Sequence, residues 1–222
     1  MIIKEVKSLI KKEILLEWRQ KFALNGILLY IISTVFICYL SFGLKQKQIN
    51  PATWNALFWI IMLFTAVNAV AKGFSQERGG RFLYYYTLAS PEGIILSKII
   101  YNSLLMIFLT FIGYFFFSII NQNPVADKPL FLINLTIGSI GFSSTLTMVS
   151  GIVSKVGNNT VLMSILSFPI MLPMLLMLIK ISMHAIDGLE RSLIYDELTT
   201  LVALNAIVLA LSYLLFPFLW RS

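Results

Sequence analysis

Residues 94–120 read IILSKIIYNSLLMIFLTFIGYFFFSII. This run is longer than the about 20 residues needed to cross the hydrocarbon core of a bilayer. In lipid every backbone N–H and C=O must be paired within the protein, which leaves α-helices or a closed β-barrel. Barrel strands alternate apolar and polar residues at period two, and this run does not. The composition agrees with a helical membrane protein. The 222 residues are 58% hydrophobic and 12% charged, where a soluble domain carries about a quarter charged residues.

Working outward, five further blocks have spanning length and little charge. The spans expected are Phe22–Leu44, Pro51–Ala71, Ile94–Ile120, Leu130–Val153, Val161–Met183 and Thr199–Leu219. The fold class is therefore an all-α membrane protein, with residues 1–21 as one unit and residues 22–222 as a six-span domain. In the opening segment Ile2, Ile3, Val6, Leu9, Ile10 and Ile14 share one side of a helical wheel, with Lys4, Lys7 and Lys11 opposite and Glu13 intruding on the apolar side. That pattern reads as an interfacial amphipathic helix with lysines at anionic head groups; the alternative is a flexible basic leader. The segment lacks the short apolar core of a cleavable signal peptide, so the first span is expected to serve as an uncleaved signal.

Orientation follows from Lys and Arg. With the N-terminus inside, the inner segments hold Lys4, Lys7, Lys11, Lys12, Arg19, Lys21, Lys72, Arg78, Arg81, Lys98, Lys155 and Arg221. The outer ones hold Lys45, Lys47, Lys128, Lys180 and Arg191. Both termini are expected in the cytoplasm. The net charge of +7 is a topology signal, and no compact basic surface remains for nucleic acid.

The inner connector with most to say is residues 72–98, KGFSQERGGRFLYYYTLASPEGIILSK. It reads as a cytoplasmic amphipathic element that ends in a helix-restarting Ser90-Pro91-Glu92. Acids and histidines at membrane depth mark proton- and ion-coupled pumps, and the span interiors lack them. No GxxxxGK[ST] phosphate loop is present. Energised work would draw on a partner.

Other features leave alternatives open. Ser139, Ser143, Thr147 and Gly151 stand at successive i+4 positions, a small-residue face for close helix approach, either to a neighbouring span or to a second copy of the chain. Pro169 and Pro173 share a face of the fifth span, as a hinge, a cavity lining or a static shape. His184, the single histidine, is either a haem or metal ligand or a surface residue. Asp187, Glu190, Asp196 and Glu197 show no calcium-loop spacing and read as a solvated outer loop with an interfacial helix over Leu189–Leu198. No histidine lies in the membrane to activate a serine, so no catalytic residues are expected. The single cysteine, Cys38, reads as a small buried hydrophobe.

Two stretches carry a family resemblance. One is the connector with Ser90-Pro91 and Ile94-Ile95-Leu96-Ser97-Lys98. The other, after Gly157, is Val161–Leu176, with the pattern L-x-S-I-L-x-x-P-x-x-x-P-x-L from Leu162 to Leu175. The chain resembles the haem exporter protein B (CcmB) family, the membrane permease subunit of the cytochrome c maturation ABC complex. The family's connector often carries an acid-rich run where this chain has Gln76-Glu77-Arg78-Gly79-Gly80-Arg81.

The resemblance implies a type-2 ABC exporter permease in the bacterial inner membrane. A coupling helix between the second and third spans would sit in a groove of an ATPase subunit. Phe74, Glu77, Arg78, Arg81, Phe82, Tyr84, Tyr85 and Pro91 would then contact the partner, with Phe82, Tyr84 and Tyr85 as anchors and Arg78 and Arg81 at the rim; the tyrosines read equally as an interfacial aromatic belt. Implied partners are two copies of the ATPase, haem-handling membrane subunits, a periplasmic haem chaperone and the bilayer. ATP would act only through the partner, and haem would be substrate and not a firmly bound cofactor. A permease for a drug, lipid or polysaccharide, or a non-transporting assembly scaffold, are the rival functions.

Overall fold

The structure is a computed structural model that describes residues 2–19, 21–43, 49–70, 89–155 and 160–221. Among these residues there are seven α-helices and no strand. They are α1 (Ile2–Arg19), α2 (Lys21–Cys38, continued by a π-helical turn over Tyr39–Gly43), α3 (Pro51–Val70), α4 (Pro91–Ile120), α5 (Lys128–Lys155), α6 (Thr160–Asp187) and α7 (Tyr195–Arg221). Six helices, α2 to α7, are long and apolar enough to cross a membrane, with α7 extended at its start by a 3-10 turn over Arg191–Ile194. The apolar segments run over Leu24–Phe42, Pro51–Val70, Pro91–Ile120, Lys128–Ser154, Ile165–Asp187 and Arg191–Leu219.

Burial ranks the helices by chemistry. The most buried span, α5, has 72% of its membrane window inside the protein, against 22% for α2 and for α7. It is also the span richest in Ser, Thr and Gly. Lipid tails are as apolar as leucine, so association in a membrane rests on close packing and hydrogen bonds between helices. The small polar helix therefore takes the centre, and the oily ones ring it with Leu29, Ile37, Phe64, Phe108, Phe115 and Leu214 exposed. Several hydroxyls of α5 also bond back along the helix: Ser139 donates to the Leu135 carbonyl, Ser144 to Gly141 and Thr147 to Ser143.

Two nodes lock the centre. Toward the Pro51 end of α3, Trp54 meets Phe117 edge-on with centroids 4.8 Å apart and stacks on Phe58, and Phe131 closes the cluster. Next to it, Ser182 Oγ accepts from Trp59 Nε1 at 2.7 Å and from Asn134 Nδ2 at 2.8 Å, joining α3, α5 and α6. Asn55 Nδ2 donates to the Ile179 carbonyl at 2.8 Å. Gly138 faces this node: a Cβ there would lie 2.9 Å from the Trp59 ring and 2.8 Å from Leu178.

The segment expected as an interfacial helix over Leu189–Leu198 is different in the structure. Gly188, at φ +65, ends α6, and the Leu189 N–H returns to the His184 carbonyl. The chain then makes the 3-10 turn and enters α7 directly at Tyr195. Asp196 and Glu197 in the first turn of α7 complement its N-terminal dipole, which is why the helix begins earlier than its apolar run.

Candidate functional site

The residues expected to contact a partner, Phe74, Glu77, Arg78, Arg81, Phe82, Tyr84 and Tyr85, lie outside the described residues. Pro91 is described, and the place where that connector enters the bundle is built in detail. Ser90 is the N-cap of α4: its extended backbone (φ −72, ψ 141) turns the chain, and its Oγ accepts from the Gly93 N–H at 3.2 Å. Pro91 follows at the first helical position, where its missing N–H costs nothing.

A carboxylate reaches this cap from α1. Glu5 Oε1 accepts from the Ser90 N–H at 2.5 Å and from Ser90 Oγ at 3.0 Å. Its negative charge sits at the positive end of the α4 dipole. Gly93 makes room for it, since a Cβ at that position would stand 2.7 Å from the same Oε1. Two turns further along α1, Glu13 meets Lys98 Nζ at 3.3 Å and Lys12 Nζ at 2.9 Å. Lys98, in the second turn of α4, is buried. Burial pushes the Glu13 carboxyl up, but Lys98 and Lys12 outweigh it and hold it below the ordinary glutamate value. A small second core completes the elbow, with Ile94, Ile95 and Ile99 of α4 against Phe216 of α7 and Leu9 of α1.

The remaining expected residues fall elsewhere. Ser139, Ser143 and Thr147 face α4 and are buried, as is Gly151. The Ser139 and Thr110 hydroxyls are 3.0 Å apart, those of Ser143 and Ser103 2.7 Å apart, and Asn102 Nδ2 donates to Thr147 Oγ1 at 2.8 Å. Each such interhelical bond contributes about 0.6 kcal/mol in a membrane. The α4 half of the seam, Asn102, Ser103 and Thr110, was not singled out from sequence. Its signal is there, as polar residues recurring on one face of the most apolar run.

Pro169 and Pro173 lie inside α6, which continues through both, and both are exposed while Met171, Met174 and Leu178 of the same helix face the core. His184 is in the last turns of α6 and is buried, so the surface reading is corrected: α6 runs on to Asp187 and turns His184 inward beside the buried Ala185. Neither ring nitrogen has a hydrogen-bond partner among the described residues. Among those residues no three His, Cys, Asp or Glu side chains come together as a metal site. Near it, Asp127 caps α5 by accepting from the Leu130 N–H at 3.1 Å, and it takes a bidentate pair of bonds from Arg191 at 2.7 and 2.8 Å. Those bonds hold the Asp127 carboxyl below the ordinary aspartate value.

No curated protein matches the chain at a significant level. A family model, described as CcmB protein, matches residues 4–219. That match takes in α1, the Ser90 elbow and all six membrane-length helices. The chain therefore belongs to the CcmB family, the membrane permease subunit of the haem-exporting ABC system of cytochrome c maturation.

Proposed function

We propose that this chain converts ATP hydrolysis by a partner ATPase into movement of its membrane helices, in the service of haem export or of release of a haem-loaded chaperone outside the membrane. The end that carries α1 and Ser90 faces the cytoplasm of a bacterial cell, with both chain termini on that side. Two ATPase subunits engage residues 72–91, Phe82, Tyr84 and Tyr85 seating in a groove and Arg78 and Arg81 meeting its rim. Haem-handling membrane subunits supply and receive the cargo.

The observation that carries this reading is the way the connector enters α4. A push on residues 72–88 arrives at a capped, proline-started and clamped helix end. A helix of that length, packed on the central α5, moves as a rigid body when its end is pushed. A frayed entry would absorb the same push locally.

Replacing Tyr84 and Tyr85 together by alanine is expected to leave membrane insertion and ATP hydrolysis in place while mature c-type cytochrome falls about tenfold or more, the loss of about 1.4 kcal/mol of coupling. Unchanged cytochrome c in that variant would remove the tyrosines from the coupling contact. Loss of the co-purifying ATPase from the wild-type complex in several detergents would remove the whole reading.

A further inference from the structure

We infer that α1 is a latch on α4, set by Glu13 and Glu5 as positioning residues, and that its docking is needed for movement at residues 72–88 to reach the bundle. The inference rests on the coupling role proposed above and adds to it a second element, separate from the connector itself.

Three features of α1 point this way. It buries none of its residues completely, and Ile3, Leu15 and Trp18 are well exposed. Toward its C-terminal end, an apolar cavity of about 230 Å3 opens between Ile14 and Trp18 on one side and Leu104, Leu105 and Phe108 of α4 on the other. Leu9 packs on α4 near the start of that helix, but no α1 side chain is fully enclosed, and specific polar contacts add to what fixes where α1 lies. Second, a helix that only floats at an interface does best with an unbroken apolar face. Glu13 breaks that face; Lys12 pairs with it within α1, and only when α1 sits on α4 does Lys98 meet it as well. Lys98 in turn is buried within a membrane-length helix, a placement that costs free energy without an opposite charge near it. The two charges together favour one position of α1 over the many that oiliness alone would allow.

Third, the other contact falls on the Ser90 cap itself. Glu5 binds the N-cap of α4, and Gly93 lacks the Cβ that would displace it. The cap that receives the connector and the cap that receives α1 are the same residue. A change in the angle of the connector at Ser90 therefore changes the Glu5 contact directly. Glu5 and Glu13 are two turns apart on α1, and Ser90 and Lys98 are a similar distance apart along α4. Two fixed points define an orientation, whereas one would leave α1 free to swing. With both made, α1 and the first turns of α4 move together, and the Phe216 contact carries that motion to α7.

The test uses the full chain in its complex, with Cys38→Ser as background and a cysteine pair, Leu9→Cys with Ile95→Cys, to read docking by disulfide yield. Glu13→Lys and Lys98→Glu are each expected to lower that yield, and the cytochrome c matured per ATP hydrolysed, by about tenfold. ATP hydrolysis and the membrane level of the chain should stay near wild type. Combining the two substitutions restores opposite charges and is expected to recover at least half of both losses. Gly93→Ala, which changes no charge, should lower the same two readouts through displacement of Glu5, and Glu5→Gln, which keeps an acceptor oxygen, should lower them less than Glu5→Ala.

Undocking with an unchanged yield of cytochrome c per ATP would overturn the latch and leave α1 as an anchor. A coupling loss that the double exchange does not rescue would overturn it as well. If wild-type output shows no ATP dependence, the coupling role fails and the transmission role with it, while disulfide yield still reports whether α1 docks through Glu13.

Discussion

The two ends of the bundle solve the same electrostatic problem in opposite ways. At the α1 end the cation is inside: the Lys98 side chain is 3% exposed and Glu13 14%. At the other end the cations are outside: Arg191 is 52% exposed in its pair with Asp127, and Lys180 is 63% exposed in its pair with Glu197. A buried pair is weak evidence for stability, because desolvation opposes the attraction, but removing one partner is costly. An exposed pair is cheap to make and cheap to lose. The α1 end therefore uses charge to fix a position, and the far end uses it to tie down a connection already held by backbone bonds such as Asp127 N–H to the Ala185 carbonyl at 2.8 Å.

The largest effect expected from this contrast is at Glu13. Replacing it by alanine removes a charged hydrogen bond to a buried lysine, a loss of about 1.5–3 kcal/mol from α1 docking. The same contact carries a pH dependence. The Glu13 carboxyl is held below its ordinary value in the folded protein, so its contribution is fully present above the ordinary glutamate range. It is lost as pH falls through the depressed folded value. Docking of α1, followed under acidification by the distance between spin labels on exposed positions of α1 and α4, should fall in that window. The Glu13→Gln chain should show weaker docking throughout and a flatter curve. A wild-type curve no steeper than the variant's would mean that the ion pair does not set the position of α1.

A smaller effect is expected at the far end. Arg191→Ala should leave thermal unfolding in detergent within the scatter of the wild type, since the arginine is largely in solvent and salt screens what remains. The Asp127 carboxyl, held below its ordinary value chiefly by its bonds from Arg191, should titrate closer to that value in the variant. Any stability it contributes would then be lost at a higher pH on acidification. A drop in melting temperature as large as that of Glu13→Ala would erase the distinction between the two ends.

How much of this could be read from the sequence differs along the same line. The six spans are legible because lipid imposes length and apolarity on each helix separately, and Ile94–Ile120 needs no partner to be recognised. The small-residue face of α5 is legible as a face, but its mate is not: pairing Thr147 with Asn102 requires knowing which helix lies alongside. Glu13 stands out in the sequence only as a flaw in an amphipathic pattern. Its meaning comes from Lys98, 85 positions away, and Lys98 by itself reads as an interfacial positive-inside lysine. Glu5, Ser90 and Gly93 form a cap from two helices, which no local pattern encodes. The sequence also ends α6 too early. Lys180, Ser182 and His184 dilute its apolarity, although packing of Leu178, Ile181, Ala185 and Ile186 carries the helix to Asp187.

The smallest effect expected is at His184, and it separates two accounts of a buried histidine. Its ring is buried at the far end, and neither Nδ1 nor Nε2 has a hydrogen-bond partner among the described residues. An unpaired buried polar group costs free energy, and an apolar group of similar shape removes that cost. His184→Leu is therefore expected to leave the chain as stable as wild type or slightly more so, with cytochrome c maturation unchanged. A ring that binds haem on its way through the complex would behave differently: the same substitution would lower maturation while leaving stability and ATP hydrolysis alone. Measuring the three together decides between a histidine kept for packing and one kept for cargo. Loss of maturation alone would move the search for the haem path to the far ends of α6 and α7.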